Sequence, residues 1–169
     1  TGLLSNNITS TGGAGNTGVI LEDIGTIAIN AGTITLGEAG VGIVATGTTT
    51  STITGSISVG DSNSIKSAIG IVADNGANIT LAGTTTITAG NGGIGVYAEG
   101  AGTTITVPNV ANITVGANGV YMYSNGANLN FAGNITANNQ IGLVADGGTV
   151  TSTGATINVQ NGGLGVFVK

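Results

Sequence analysis

A chain of 169 residues that holds 33 glycines, one proline and only 5% charged residues differs strongly from an ordinary globular domain. Its formal net charge is −5, and two lysines are its only cationic residues, so the clustered cations that bind nucleic acid or anionic membrane surfaces are missing. Histidine, cysteine and arginine are absent, which removes the commonest general base, the thiol nucleophile and the guanidinium group. We therefore expect no enzyme, no cofactor and no nucleic-acid partner.

The same composition argues against disorder and against a membrane span. Hydrophobic residues make up 40% of the chain, with Ile and Val prominent, whereas disordered segments are poor in both. Apolar runs are short, far below the roughly 20 residues of a spanning helix, so we expect no membrane insertion of this segment. The chain begins at Thr1 without a signal segment, so we expect a piece of a longer repeat protein.

One short motif organises the chain: an apolar residue, a glycine, two apolar residues and a small residue. Clear copies begin at Val41, Ile69, Ile94, Ile141 and Leu164, looser copies at Thr17 and Asn118, and Gly2-Leu3-Leu4 is a fragment. Their central glycines stand at positions 2, 18, 42, 70, 95, 119, 142 and 165, with gaps of 16, 24, 28, 25, 24, 23 and 23. A near-constant period of this length indicates a stacked repeat architecture.

Two short segments with alternating polar and apolar residues follow each motif, which is typical of strands with one buried face. In chain order, examples are 26–29 with 33–36, 78–81 with 86–89, 104–107 with 112–115, and 149–151 with 156–159. Three strands per repeat predict a right-handed parallel β-helix, a β-solenoid of about seven coils of 23–28 residues. Residues 1–169 would form one such segment, with 1–17 as an incomplete first coil, 61–68 as a protruding loop and 164–169 as the last edge strand.

Alternation within each strand predicts which side chains face the interior. The expected inward set of two neighbouring coils is Ile69, Ile71, Ile79, Leu81 and Ile87, followed by Ile94, Val96, Ile105, Val107, Ile113 and Val115. If Ile94, Val96 and Ala98 point inward, Gly95 and Tyr97 point outward.

Applied to every repeat, this alternation predicts an outward apolar column on the motif face. The column would contain Ile20, Val44, Val72, Tyr97, Tyr121, Val144 and Phe167, beside a column of bare glycines that leaves a shallow groove. An exposed apolar stripe with aromatic anchors is typical of an interaction site, so Val72, Tyr97, Tyr121, Val144 and Phe167 are candidate binding residues. Stacking within the sheet, or cover by another part of a longer protein, would explain the same stripe.

Two further patterns have both a functional and a simpler interpretation. Asp74 and Glu99 occupy the same place in adjacent repeats, where two carboxylates could share a proton or a Ca²⁺ ion; solvated turn residues are the simpler explanation. Outward polar ladders such as Thr33/Thr35 and Thr86/Thr88 resemble the arrays of ice-binding solenoids. Asparagine and serine interrupt these ladders, which favours an ordinary solvated strand surface.

A long, acidic, cysteine-free β-solenoid of coils rich in Thr, Asn and Gly resembles the passenger of Gram-negative type V autotransporters. Motif copies such as Gly42-Ile43-Val44-Ala45 and Gly95-Val96-Tyr97-Ala98 are similar to repeats of the large fusobacterial autotransporter adhesins. The resemblance covers almost the whole chain. It implies secretion through an outer-membrane β-barrel and display on the bacterial surface, anchored through a C-terminal barrel that this chain does not include.

That resemblance also implies a role and partners. The segment would act as a rigid stalk or binding surface for cell-cell or host adhesion, and its partners would be surface proteins or glycans of other cells. Exposed terminal edges predict end-to-end self-association as well. Alternative expectations are an ice- or carbohydrate-binding solenoid and an extracellular domain that acts on polysaccharides.

Overall fold

Alternating strands and turn glycines build a parallel β-solenoid of about seven turns in the computed structural model, which describes residues 7–10 and 12–169. Every strand pairing is parallel and joins equivalent segments of successive coils. The motif fragment predicted at Gly2-Leu3-Leu4 lies outside the described residues. Within the described part of the chain, no helix is long and apolar enough to cross a bilayer.

The motif strands form the first face of the solenoid, a seven-stranded sheet. Its strands are β2 (Thr17–Glu22), β4 (Val41–Thr46), β6 (Ile69–Asp74), β9 (Ile94–Glu99), β12 (Val120–Asn125), β15 (Ile141–Asp146) and β18 (Leu164–Val168). Each strand lies between its counterparts in the preceding and following coils, so equivalent side chains stack in columns along the solenoid.

The remaining strands form the second and third faces. The second face contains β7 (Asn78–Leu81), β10 (Thr104–Val107), β13 (Asn128–Ala132) and β16 (Thr149–Thr153). The third face contains β1 (Ile8–Ser10), β8 (Thr86–Ala89), β11 (Ile113–Val115), β14 (Ile135–Asn138) and β17 (Ile157–Gln160). Two long strands, β3 (Thr26–Leu36) and β5 (Thr50–Val59), extend over both faces. In the first coils the two predicted segments are one continuous strand, and β3 pairs with β5 through an irregularity between Asn30 and Thr33. A short 3-10 helix, Val110–Asn112, precedes β11.

Aliphatic side chains from all three faces fill the interior. Of the residues predicted to point inward, all are buried except Ile69 and Ile94, which are partly exposed. The prediction was wrong for these two because the motif strand does not alternate regularly: Gly95 and Val96 are both buried, and the pairing of β9 with β6 and β12 skips the glycine. The residue before the glycine therefore faces outward.

Residues 60–68 form a loop between β5 and β6 that is held against the solenoid by hydrogen bonds. The Asn63 side chain accepts hydrogen bonds from the backbone N–H groups of Ile65 at 3.0 Å and Lys66 at 2.8 Å. Ser62 Oγ donates to the Gly92 carbonyl at 2.9 Å and accepts from the Ala68 N–H at 2.8 Å. Polar turn residues thus order the loop while Ile65 at its tip remains 86% exposed.

The third face is interrupted between β11 and β14. Strand β11 pairs with β8, and β14 pairs with β17, but β11 and β14 do not pair with each other. Side chains bond to backbone groups there instead: the Tyr121 hydroxyl donates to the Thr136 carbonyl at 3.1 Å, and Gln140 Nε2 donates to the Val115 carbonyl at 3.0 Å. Gln140 Oε1 also accepts a hydrogen bond from the Asn138 N–H at 2.7 Å. The Gln140 side chain therefore bonds two backbone groups where β11 and β14 are not paired.

Candidate binding surface

The motif glycines face the interior, which corrects the prediction of an outward glycine column. A Cβ atom added to Gly95 would lie 2.5 Å from the Ile113 Cγ2 atom of the third face and 2.6 Å from the Tyr121 carbonyl oxygen of the next coil. Gly18 is similar, with the Gly42 carbonyl oxygen at 2.6 Å and Ile34 Cγ2 at 2.9 Å. The glycine permits close packing of the first face against the third. It does not form the floor of a surface groove.

Two columns of side chains, not one, face outward from the first face. The first residue of each strand forms one column, with members Thr17, Val41, Ile69, Ile94, Val120, Ile141 and Leu164. The fourth residue of each strand forms the other, with members Ile20, Val44, Val72, Tyr97, Tyr123, Val144 and Phe167. We call the second set the apolar column.

Four of the five candidate binding residues lie in the apolar column, and Tyr121 does not. Tyr97 is paired with Tyr123, because Val120 stands opposite Ile94 and Met122 opposite Val96. Tyr121 thus occupies the glycine position, directed toward the third face. The prediction was wrong because it aligned Gly119 with Gly95, whereas Gly119 packs on the Gly93 carbonyl two residues earlier.

Exposure varies along the apolar column. Ile20 is 62% exposed and Phe167 47%, whereas Val144 is only 6% exposed between Tyr123 and Phe167. Val72 and Tyr97 are partly exposed. Val144 therefore packs between its two neighbours in the column and has little solvent-accessible surface for a partner to contact.

Tyr97 and Tyr123 form an aromatic pair at the middle of the column. Their ring centroids are 5.2 Å apart and their planes are inclined by 52°, a favourable tilted arrangement. Asn125 Nδ2 lies 3.3 Å from the Tyr97 hydroxyl and 3.1 Å from Glu99 Oε1, and it links the phenol to the turn. Burial raises the pKa of Tyr97 above its ordinary value, Glu99 adds to the rise, and the bond from Asn125 opposes it. The phenol is therefore neutral at physiological pH.

A cavity of about 570 Å³ opens on the first face beside this pair. Its floor includes Val41, Ile69 and Ile94, all from the column that precedes the glycines. Tyr97 and Tyr123 line it on the side of the apolar column. We call this cavity the Lys66 groove, because Lys66 and Ser67 of the 60–68 loop form its opposite rim.

The electrostatics of the Lys66 groove differ from those of the rest of the molecule. Lys66 and Lys169 are the only cations of a chain with net charge −5. Lys169 Nζ lies 3.1 Å from Asp146 Oδ2, whereas Lys66 has no ion pair among the described residues. The Lys66 side chain lies against Gly15, which precedes β2, whereas Lys66 itself precedes β6, two coils later. At the rim of the groove, Lys66 therefore places a positive charge that has no ion-pair partner in the described part of the chain.

The acidic pair predicted as a possible cation site occupies matching positions of neighbouring strands. Asp74 follows Ala73 and Glu99 follows Ala98, and these two alanines are paired. Asp74 Oδ1 is buried without a hydrogen-bond partner, while Glu99 is exposed and bonded to Asn125. Across the described residues, no group of three or more acidic, histidine or cysteine side chains is arranged to hold a metal ion.

The polar ladders lie on the third face, where Thr35, Ser58, Thr88 and Thr114 stack in register. The interruption between β11 and β14 ends this ladder after Thr114. With Thr9, which is paired with Thr35, the ladder extends over five coils, and Ser58 interrupts its threonines.

Comparison with protein-family models, with curated proteins and with solved structures gives no match to this chain. The evidence for a function therefore comes from the molecule's own surface.

Proposed function

We propose that this chain is a non-catalytic segment of a bacterial surface-displayed autotransporter passenger. It acts as a rigid rod and offers its first face as an adhesive surface to other cells or host molecules. The observation that carries the proposal is the difference between the faces. The first face presents an outward column of Val, Ile, Tyr and Phe, whereas the third presents Thr, Ser and Asn.

Rigidity supports the same role. Seven parallel strands of the first face are paired without a break, and backbone hydrogen bonds connect every coil to the next. A stack of coils with about 4.8 Å between strands behaves as a linear rod, in which each coil is stabilised by its neighbours. Such a rod can hold a binding face at a distance from the cell that displays it.

The amino-acid composition also favours adhesion over catalysis. The chain lacks histidine, cysteine and arginine, and its aromatic residues are concentrated in and near the apolar column. Aromatic side chains provide much of the affinity of protein interfaces. The repeat motif and composition that resemble fusobacterial adhesins are consistent with this role.

Beads coated with the chain provide the test. We expect wild-type beads to adhere to host or bacterial cells and the double variant Tyr97→Ser/Tyr123→Ser to lose about tenfold or more in adhesion, because it removes both aromatic anchors. The double variant Thr88→Ser/Thr114→Ser changes two stacked outward residues of the third face and serves as the matched control.

Thermal unfolding of each variant separates binding from stability. Reduced adhesion at an unchanged melting temperature supports the proposal. If the tyrosine variant melts earlier but adheres as well as the wild type, the apolar column only stabilises the sheet.

A further inference from the structure

We propose that the Lys66 groove is a binding site for an acidic oligosaccharide, with a ligand carboxylate at Lys66 and a sugar ring against Tyr97. The inference rests on the proposed adhesive function and names the ligand class of one site on the first face. Three properties of the groove lead to it: its shape, its charge and its polar groups.

The shape fits an elongated ligand. Six of the ten lining residues come from five neighbouring strands, β2, β4, β6, β9 and β12, and five strands at a spacing of about 4.8 Å span about 19 Å. The volume of about 570 Å³ lies within the range of small-molecule sites. Because the groove is open to solvent, a chain of sugar units can enter without a movement of the backbone.

The charge selects an anionic ligand. Lys66 is the one lysine without an ion pair among the described residues, while the rest of the chain is acidic. Hydrogen bonds from the Ile65 and Lys66 N–H groups to Asn63 fix the loop that carries Lys66. A positive charge that lies on an ordered loop and has no ion-pair partner in the part of the chain that the structure describes attracts a ligand carboxylate.

The polar groups favour a sugar over a peptide. An extended peptide gains its affinity mainly from pairing with a free strand edge. Tyr97 and Tyr123 lie on β9 and β12, which are paired on both sides, and of the strands that line the groove only β2, at the end of the sheet, has a free edge among the described residues. Thr17, Ser67 and the two tyrosines line the cavity, and their side chains carry hydroxyl groups that can exchange hydrogen bonds with sugar hydroxyls. Tyr97 has an aromatic neighbour on one side and the smaller Val72 on the other, which leaves room for a ring to pack on it.

Titration of the chain with a galacturonic acid tetramer, followed by NMR and calorimetry, tests the site. We expect saturable binding, shifts confined to residues around Lys66 and Tyr97, and weaker binding as the salt concentration rises. Lys66→Gln should weaken binding by about tenfold or more, since it removes the charge that pairs with the carboxylate. Lys169→Gln makes the same charge change at a lysine that does not line the groove and is paired with Asp146, and it should bind as the wild type does.

Four results would overturn the inference. These are no saturable binding of the acidic tetramer, equal binding of a neutral galactose tetramer, equal effects of Lys66→Gln and Lys169→Gln, or equal binding of a tetra-glutamate peptide. The last result would mean that the groove recognises charge and not a sugar.

The bead assay distinguishes failure of this site from failure of the adhesive function. Beads that adhere to cells equally well with Lys66→Gln, together with no tetramer binding, exclude the groove but leave adhesion by the first face intact. Tetramer binding by a chain whose beads adhere to no cell supports the groove and contradicts the adhesive function.

Discussion

The motif glycine stabilises the solenoid because it has no side chain at a position where a Cβ atom would not fit. In β2, β4, β6, β9 and β15 its backbone lies where the first face approaches the third, and the nearest atoms to an added Cβ are an isoleucine of the third face and a carbonyl oxygen of the next coil. Neither can move freely, because one is packed in the interior and the other belongs to a paired strand. A side chain at this position would have to separate two faces of the solenoid.

Gly95→Ala tests this requirement. We expect the free energy of unfolding to fall by about 1–3 kcal/mol, because the new methyl group would overlap Ile113 and the Tyr121 carbonyl. Urea unfolding followed by circular dichroism gives the measurement.

Gly83→Ala is the matched control, because an added Cβ there meets nothing within 4 Å. It should leave stability unchanged or raise it slightly. Equal losses in the two variants would contradict the role assigned to the motif glycine.

At the scale of the element, Tyr121 shows what happens when the glycine is replaced. It occupies the glycine position of β12, and in this coil the third-face strands β11 and β14 are not paired. The tyrosine hydroxyl and the Gln140 amide bond to backbone groups at this interruption. This coil therefore accommodates a tyrosine at the glycine position. Side-chain hydrogen bonds replace the backbone hydrogen bonds that β11 and β14 do not form with each other.

Gln140→Ala should destabilise the coil at the interruption between β11 and β14. The Asn138 N–H and the Val115 carbonyl would each lose their bond to Gln140, at a cost of about 1–3 kcal/mol in the free energy of unfolding. We expect the Asn138 amide to exchange with solvent about tenfold faster or more, as measured by NMR hydrogen exchange.

The chain's other glutamine provides the control. Gln160 makes no side-chain hydrogen bond among the described residues and is exposed, so Gln160→Ala should leave the Asn138 exchange rate unchanged. An unchanged rate in Gln140→Ala as well would mean that the amide does not bridge the interruption in solution.

At the scale of the whole molecule, the last coil differs from those before it. Val166 is 46% exposed, whereas its counterparts Leu143 and Met122 are 5% and 0% exposed. Phe167 and Val168 are exposed as well, at 47% and 72%. A strand edge of this kind, with apolar side chains next to it, can pair with another chain.

We expect the 169-residue chain to associate end to end. Its mass in sedimentation equilibrium should rise with concentration, and Val166→Lys should reduce association because it places a charge at the apolar end. Ile65→Lys changes a residue that is 86% exposed on the 60–68 loop, away from this end, and should not alter the mass. A monomer at all concentrations would contradict self-association.

The sequence alone was sufficient for the architecture. The parallel solenoid of about seven turns was predicted correctly because the repeat period and the alternation of polar and apolar residues are local properties of the chain. Most of the interior followed from the same alternation: Ile71, Ile79 and Ile87 are buried as expected. A strand with one buried face alternates polar and apolar residues in every repeat, and this alternation can be read without knowing which strands it pairs with.

Only the tertiary structure determined the orientation of the glycines, the place of Tyr121 and the groove. Ile69 and Ile94 face outward, and Tyr123 takes the place expected for Tyr121, because the register depends on hydrogen bonds between coils. The Lys66 groove unites a loop lysine with tyrosines of later coils, residues that no local pattern connects. Local periodicity therefore determines which strands form, whereas packing between coils determines which side chains meet.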